Sequence, residues 1–130
     1  MQNYLMFWAC SKLGAFWENI FQTLSQAYGQ TILPNPLSAI FGIPPDGNLS
    51  GSLKQALAFT TLLARRLILL KWKLSHPPSH DHWVREVLYN LKLEKLRFSL
   101  KGSISKFRKT WSPFLTLVDT IILLPDTEVN

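Results

Sequence analysis

"ALAFTTLLARRLILLKWK", residues 56–73, is the most apolar stretch of the chain, and its reading decides the fold. A run of this kind is either a membrane span or a helix buried inside a water-facing domain. A span requires ~20 consecutive apolar residues, and each Arg near its centre costs roughly 2.5–3.5 kcal/mol. Here Arg65 and Arg66 follow only nine uncharged residues, Ala56–Ala64, and Lys71 comes soon after. The segment therefore reads as a buried helix. It is expected to run from about Leu53 to Leu74, with Ser52 as a candidate N-cap and Pro77 and Pro78 as its stop. Apolar on most sides in its centre, it is expected to be the central helix of the domain.

Working outward, the same periodicity recurs on both sides. Upstream, Phe16, Trp17, Ile20, Phe21, Leu24 and Tyr28 fall at helical spacing, with Gly29 as a C-cap. Residues 30–52 follow as a long connection with four prolines and three glycines. Within it "LSAIFGI" reads as a short strand or turn, and "PPDG" as a turn. Downstream, Ser79 is placed to cap a helix that runs to about Leu100. Val84, Val87, Leu88, Leu91 and Phe98 share one face of it, and Arg85, Glu86, Asn90 and Arg97 the other. Gly102 breaks the pattern. Ile104, Phe107, Trp111, Phe114 or Leu115, and Val118 then mark a further helix, in which Pro113 is expected to make a kink or start a new turn capped by Ser112. The fold class expected is all-α: a small bundle of about four helices in a single domain over 1–120. A Pro/Gly-rich connection follows its first helix, and 121–130 form a frayed tail.

Composition agrees with one domain. The chain has 130 residues, 47% of them hydrophobic, which is enough for a core and too short for two domains. One cysteine excludes an internal disulfide. The N-terminus lacks a basic segment ahead of its apolar residues, so it does not read as a signal peptide. The expected location is intracellular, cytoplasmic or nuclear, with no membrane span. Net charge is +6, unevenly spread. Leu53–Thr110 holds 13 Lys/Arg against Asp81, Glu86 and Glu94, a local balance of +10, while the remainder is net −4. A basic half with acidic ends points to an anionic partner, nucleic acid before a membrane surface; the competing reading is a solvated basic surface.

Few constellations carry chemistry. "HPPSHDHW" gathers His76, His80 and His82 around Asp81, residue types that ligate metals. His80 and His82 fall two apart at a helix start, however, and point to different sides, so the cluster reads as a polar helix start. Cys10, as a nucleophile, would need a base and an orienting group, and no sequence signature supplies them. No acid pair or glycine-rich phosphate loop is present, and no cofactor is implied. The chain does not read as an enzyme. The strongest signal is basic. Arg65, Arg66, Lys71 and Lys73, with Trp72, end the central helix. Lys92, Lys95, Arg97 and Lys101, then Lys106, Arg108 and Lys109, follow with Phe98, Phe107 and Trp111 between them. Lys and Arg supply sequence-independent affinity for phosphates, and aromatic rings can stack on unpaired bases. Phe107 and Trp111, however, fit the helical core pattern.

Three blocks carry a resemblance: "FWACSKLGAFW", "LLARRLILLKWK" with "PPSH" and a Trp following, and "LEKLRFSL" with "KFRKTWSPFL". In this order they resemble the C-terminal end of the polyprotein of non-LTR (LINE-type) retrotransposons, especially those of fish genomes, over about residues 5–118. The resemblance implies an α-helical, nucleic-acid-binding region downstream of an endonuclease and a reverse transcriptase, whose catalytic carboxylates have no counterpart here. It also implies a Cys/His element, of which 1–12 would be a remnant. Cys10 matches the last ligand of a four-ligand zinc site, which would close a structural site. The expected His position is Leu5, and the first two cysteines would precede Met1. No zinc binding at Cys10 is therefore expected, and the pattern fits a truncated or decayed copy.

The expected function is non-catalytic, sequence-independent binding of RNA or single-stranded DNA by the basic helices. The alternative is a decayed remnant or a helical protein-interaction module. Its cue is an apolar surface around Phe7, Trp8, Phe16 and Trp17, available for self-association or a protein partner.

Overall fold

A computed structural model describes residues 13–44, 49–71 and 77–123. Among them the regular structure is helical, with no strand: α1 (Gly14–Tyr28), α2 (Pro36–Phe41), α3 (Gly51–Leu70), α4 (His80–Leu100) and α5 (Ile104–Leu123). The small all-α bundle is as expected, with one helix more than the four read from the sequence.

Helix α1 buries Phe16, Trp17, Ile20, Phe21 and Leu24, one stripe of a 3.6-residue period. It ends at Gly29, whose φ of 66° is the left-handed conformation that costs other residues roughly 1–2 kcal/mol. The burial of Phe16 and Trp17 corrects the expectation of an exposed seam there, because both rings face into the bundle. Phe7, Trp8 and Cys10 lie outside the described residues.

The segment "LSAIFGI" is neither strand nor simple turn. It forms most of α2, where Asn35 Oδ1 accepts from the amides of Leu37 (2.8 Å) and Ser38 (3.2 Å). Pro36 occupies the first turn, where a missing N–H costs nothing. Ser38 Oγ closes the other end by donating to the Ile43 carbonyl at 2.6 Å. Six residues are too few for a helical period to show in sequence.

Helix α3 begins at Ser50 rather than Ser52. Ser50 Oγ accepts from the Leu53 amide at 3.1 Å, which frees Ser52 for another role. The helix stops at Leu70, short of the expected Leu74, and 72–76 lie outside the described residues. Leu53, Ala56, Leu57, Leu63, Ala64, Leu67 and Ile68 are all buried. Thr60 and Thr61 are buried too, and their hydroxyls are satisfied by donating back to Ala56 and Leu57 carbonyls at 2.7 and 2.6 Å.

Ser79 caps α4 as expected, accepting from the His82 amide at 3.0 Å. Helix α5 runs unbroken through Pro113, so Ser112 starts no new turn, and it continues to Leu123 into the expected tail. Pro113 has no N–H for the carbonyl of Lys109, four residues back. Ser52 Oγ donates to that carbonyl instead, at 3.3 Å. The next carbonyl, of Thr110, accepts from Tyr28 Oη at 2.6 Å.

The buried side chains form one cluster drawn from α1, α3, α4 and α5, with Ile32 and Ala39 from the connection. An aromatic path crosses it: Phe59 to Trp111 at 5.2 Å, Trp111 to Phe114 and Phe114 to Trp83 at 5.9 Å, each near edge-to-face. This is the arrangement that ring quadrupoles favour. Trp83 is wholly buried, and its Nε1 donates to the Thr60 carbonyl at 3.0 Å, which ties α4 to α3.

Candidate nucleic-acid interface

The basic residues of α4 and α5 are brought together by the turn between the helices. Gly102 takes φ 72°, and the Ser103 amide donates back to the Phe98 carbonyl at 2.8 Å, which closes the end of α4. Helix α5 then returns along α4. Lys92, Lys95, Lys101, Lys106, Arg108 and Lys109 are all exposed. Among the described residues none of the six is in an ion pair; the pairs found are Asp81–Arg85 and Glu94–Arg97.

These cations do not share one face. A turn of about 100° per residue sets Lys106 and Arg108 on opposite flanks of α5, either side of its buried stripe. Two grooves result. One, of about 420 Å³, lies between α4 and α5 and is lined by Arg85, Tyr89, Lys92, Lys95, Phe107 and Asp119 among others. The other, of about 520 Å³, is lined by Lys106 and Lys109 of α5, Phe98 of α4, and Ser50, Ser52 and Gln55 at the start of α3. Its wall is fixed by Thr110, whose Oγ1 donates to Gln55 Oε1 at 3.1 Å. The two grooves meet at the Phe98 and Phe107 rings, 6.0 Å apart. Sequence reasoning missed Ser50, Ser52, Gln55 and Tyr89 as groove residues. Only the packing of three helices brings them beside the lysines, and no local pattern encodes that.

The four basic residues expected around the end of α3 divide differently. Arg65 is half-buried, and its Nη1 donates to the Ala39 carbonyl at 2.8 Å, pinning α2 to α3. Burial lowers its pKa. This is a structural role, which corrects the assignment of Arg65 to phosphate contact. Arg66 is exposed, Lys71 is half-exposed at the helix end, and Lys73 lies outside the described residues. Arg97 is exposed but engaged: two of its nitrogens donate to Glu94 at 2.8 and 3.3 Å, and its guanidinium lies 5.5 Å from the centre of the Phe98 ring. The hydrogen bonds from Arg97 to Glu94, and then the carboxylate's charge, raise the arginine's pKa.

Phe107 and Trp111 are core residues, as expected, and Phe98 is half-buried on the same cluster. His80 is half-buried, packs on Trp83 with ring centres 5.2 Å apart, and places Nε2 3.0 Å from Thr23 Oγ1. Its Nδ1 is buried with no hydrogen-bond partner among the described residues. Burial lowers its pKa, and the neighbouring Asp81 offsets that in part. His76 lies outside the described residues. Among those described, no three His, Cys, Asp or Glu side chains gather as a metal site would require. No helix among them is long and apolar enough to cross a membrane. No protein-family model, curated protein or solved structure matches the chain.

Proposed function

We propose that the chain binds RNA or single-stranded DNA without sequence preference, through the cations of α4 and α5, and has no catalytic activity of its own. The observation that carries this reading is the exposure of Lys92, Lys95, Lys101, Lys106, Arg108 and Lys109 on two adjacent helices, none of them in an ion pair among the described residues. Unneutralised cations release counterions from a phosphate backbone, so affinity falls with salt at a slope of about −0.7 per phosphate for single strands. The side chains fit an unspecific binder. Phe107 and Trp111 are in the core, and five of the six cations are lysines, point charges rather than bidentate forks. The sequence blocks that resemble the C-terminal end of LINE-type retrotransposon polyproteins support the same reading, since that region handles nucleic acid.

The test is titration of a labelled homopolymeric oligonucleotide across salt. Binding that weakens steeply with salt, and weakens further in Lys106→Glu with Lys109→Glu, is expected. No binding at low salt would overturn the reading.

A further inference from the structure

The outer face of α4 carries an apolar strip that the bundle does not use. Tyr89, Leu93, Leu96 and Leu100 are 62%, 53%, 58% and 80% exposed. They are separated by four, three and four residues, the spacing at which side chains become neighbours along one helix face. That is the alternation of the a and d positions of a heptad, with Leu93 and Leu100 at a and Tyr89 and Leu96 at d. Leu91 and Phe98, at f, point the other way into the core cluster. Single exposed leucines are ordinary, whereas four large apolar groups in one continuous seam mark an interaction surface.

The flanking charges select the occupant. In this register the e positions are Asn90 and Arg97, and the g positions are Arg85, Lys92 and Ser99. No acid stands at either. A second copy of this chain would therefore gain no interhelical ion pair in either orientation, and a parallel pairing would set Lys92 against Arg97 of the copy. A helix with acids at those positions would face Arg85, Lys92 and Arg97. Arg85 pairs with the exposed Asp81, and the exposed Arg97 with the half-buried Glu94 while its guanidinium also lies over Phe98; surface pairs of this kind cost little to exchange. We propose that the outer face of α4 is the docking site for an amphipathic helix of another protein, with leucine-type residues in its seam and acids along both flanks. The face shares Arg85, Tyr89 and Lys92 with the groove between α4 and α5 and lies apart from the Lys106–Lys109 groove; its apolar seam needs no nucleic acid to be occupied.

The probe is a synthetic helical peptide of about four heptads with Leu at a and d and Glu at every e and g, titrated into the full chain by fluorescence anisotropy. Three comparisons accompany it: a scrambled peptide of the same composition, a peptide with Lys in place of Glu, and the variant Leu93→Ser with Leu96→Ser. Both substituted leucines are exposed, so helicity by circular dichroism is expected to be unchanged. Binding of the Glu peptide is expected, with the scrambled and Lys peptides and the Leu93→Ser/Leu96→Ser variant each weaker by roughly tenfold or more. Absent binding overturns the proposal, as does equal binding of the scrambled peptide, or an unchanged affinity in the double variant. A chain that elutes as a dimer, and becomes a monomer in that variant, also overturns it, since the occupant would then be a second copy.

Discussion

Tyr28 and Thr110, 82 residues apart, are joined by a 2.6 Å hydrogen bond from the phenol to a backbone carbonyl of α5. The bond lies one residue from the carbonyl that Pro113 leaves without its usual donor, and Ser52 serves that one from α3. Two neighbouring helices thus supply hydroxyls where α5 carries its proline. Burial pushes the Tyr28 phenol well above the ordinary tyrosine range, so the hydroxyl remains a donor at any ordinary pH.

Tyr28→Phe is expected to destabilise by about 1 kcal/mol, the net worth of one hydrogen bond of this kind. For a domain of this size the loss corresponds to a fall in Tm of about 4 °C, measured by thermal unfolding. An unchanged Tm would mean that the carbonyl is served equally well by other means.

Ser52 and Pro113 are expected to be coupled. Ser52→Ala alone costs about 0.5 kcal/mol, because the Lys109 carbonyl loses its substitute donor. In a Pro113→Ala background the new amide can reach that carbonyl, and Ser52→Ala is expected to cost close to nothing. A double-mutant cycle by urea unfolding measures the difference.

Trp83→Ala is expected to cost about 3–5 kcal/mol, from a large cavity and the loss of the bond to the Thr60 carbonyl. Trp83→Phe keeps most of the volume and removes the Nε1 bond, while the Thr60 carbonyl retains its donor within α3, so about 1 kcal/mol is expected. Equal costs for the two would show that the Nε1 bond, and not packing, dominates.

His80 makes stability depend on pH. Its folded-state pKa lies below the ordinary 6.5, because burial disfavours the charged ring more than Asp81 favours it. The unfolded chain therefore takes up the proton first as pH falls. The stability this group contributes is complete above about pH 6.5 and is lost as pH falls from there toward the folded-state value. A Tm that falls as pH drops below about 6.5 is expected, with a flatter profile in His80→Gln.

The long elements were legible because each buries one stripe at helical spacing: Phe16 to Tyr28 in α1, and Phe107 to Val118 in α5. Gly29 and Ser79 announced their caps in sequence as well. Helix α2 was missed because six residues cannot show a period, although Asn35–Pro36 and Gly42 bracket it with the residues such a helix needs. The run through Pro113 was not readable, since what sustains it is Ser52 and Tyr28, distant in sequence. The site was legible as a list of cations and not as a surface. Arg65 carries the same charge as Arg66, but only the fold shows it tied to Ala39. Lys106 and Arg108 are near neighbours in sequence, yet helix geometry sends them to opposite flanks.

Binding of a labelled single-stranded oligonucleotide by the full chain, followed across salt, tests the central claim most directly. Affinity is expected to fall linearly on logarithmic axes, and the slope to drop by about 0.7 for each of Lys106→Glu and Lys109→Glu. No binding at low salt, or a slope that neither substitution moves, would contradict it.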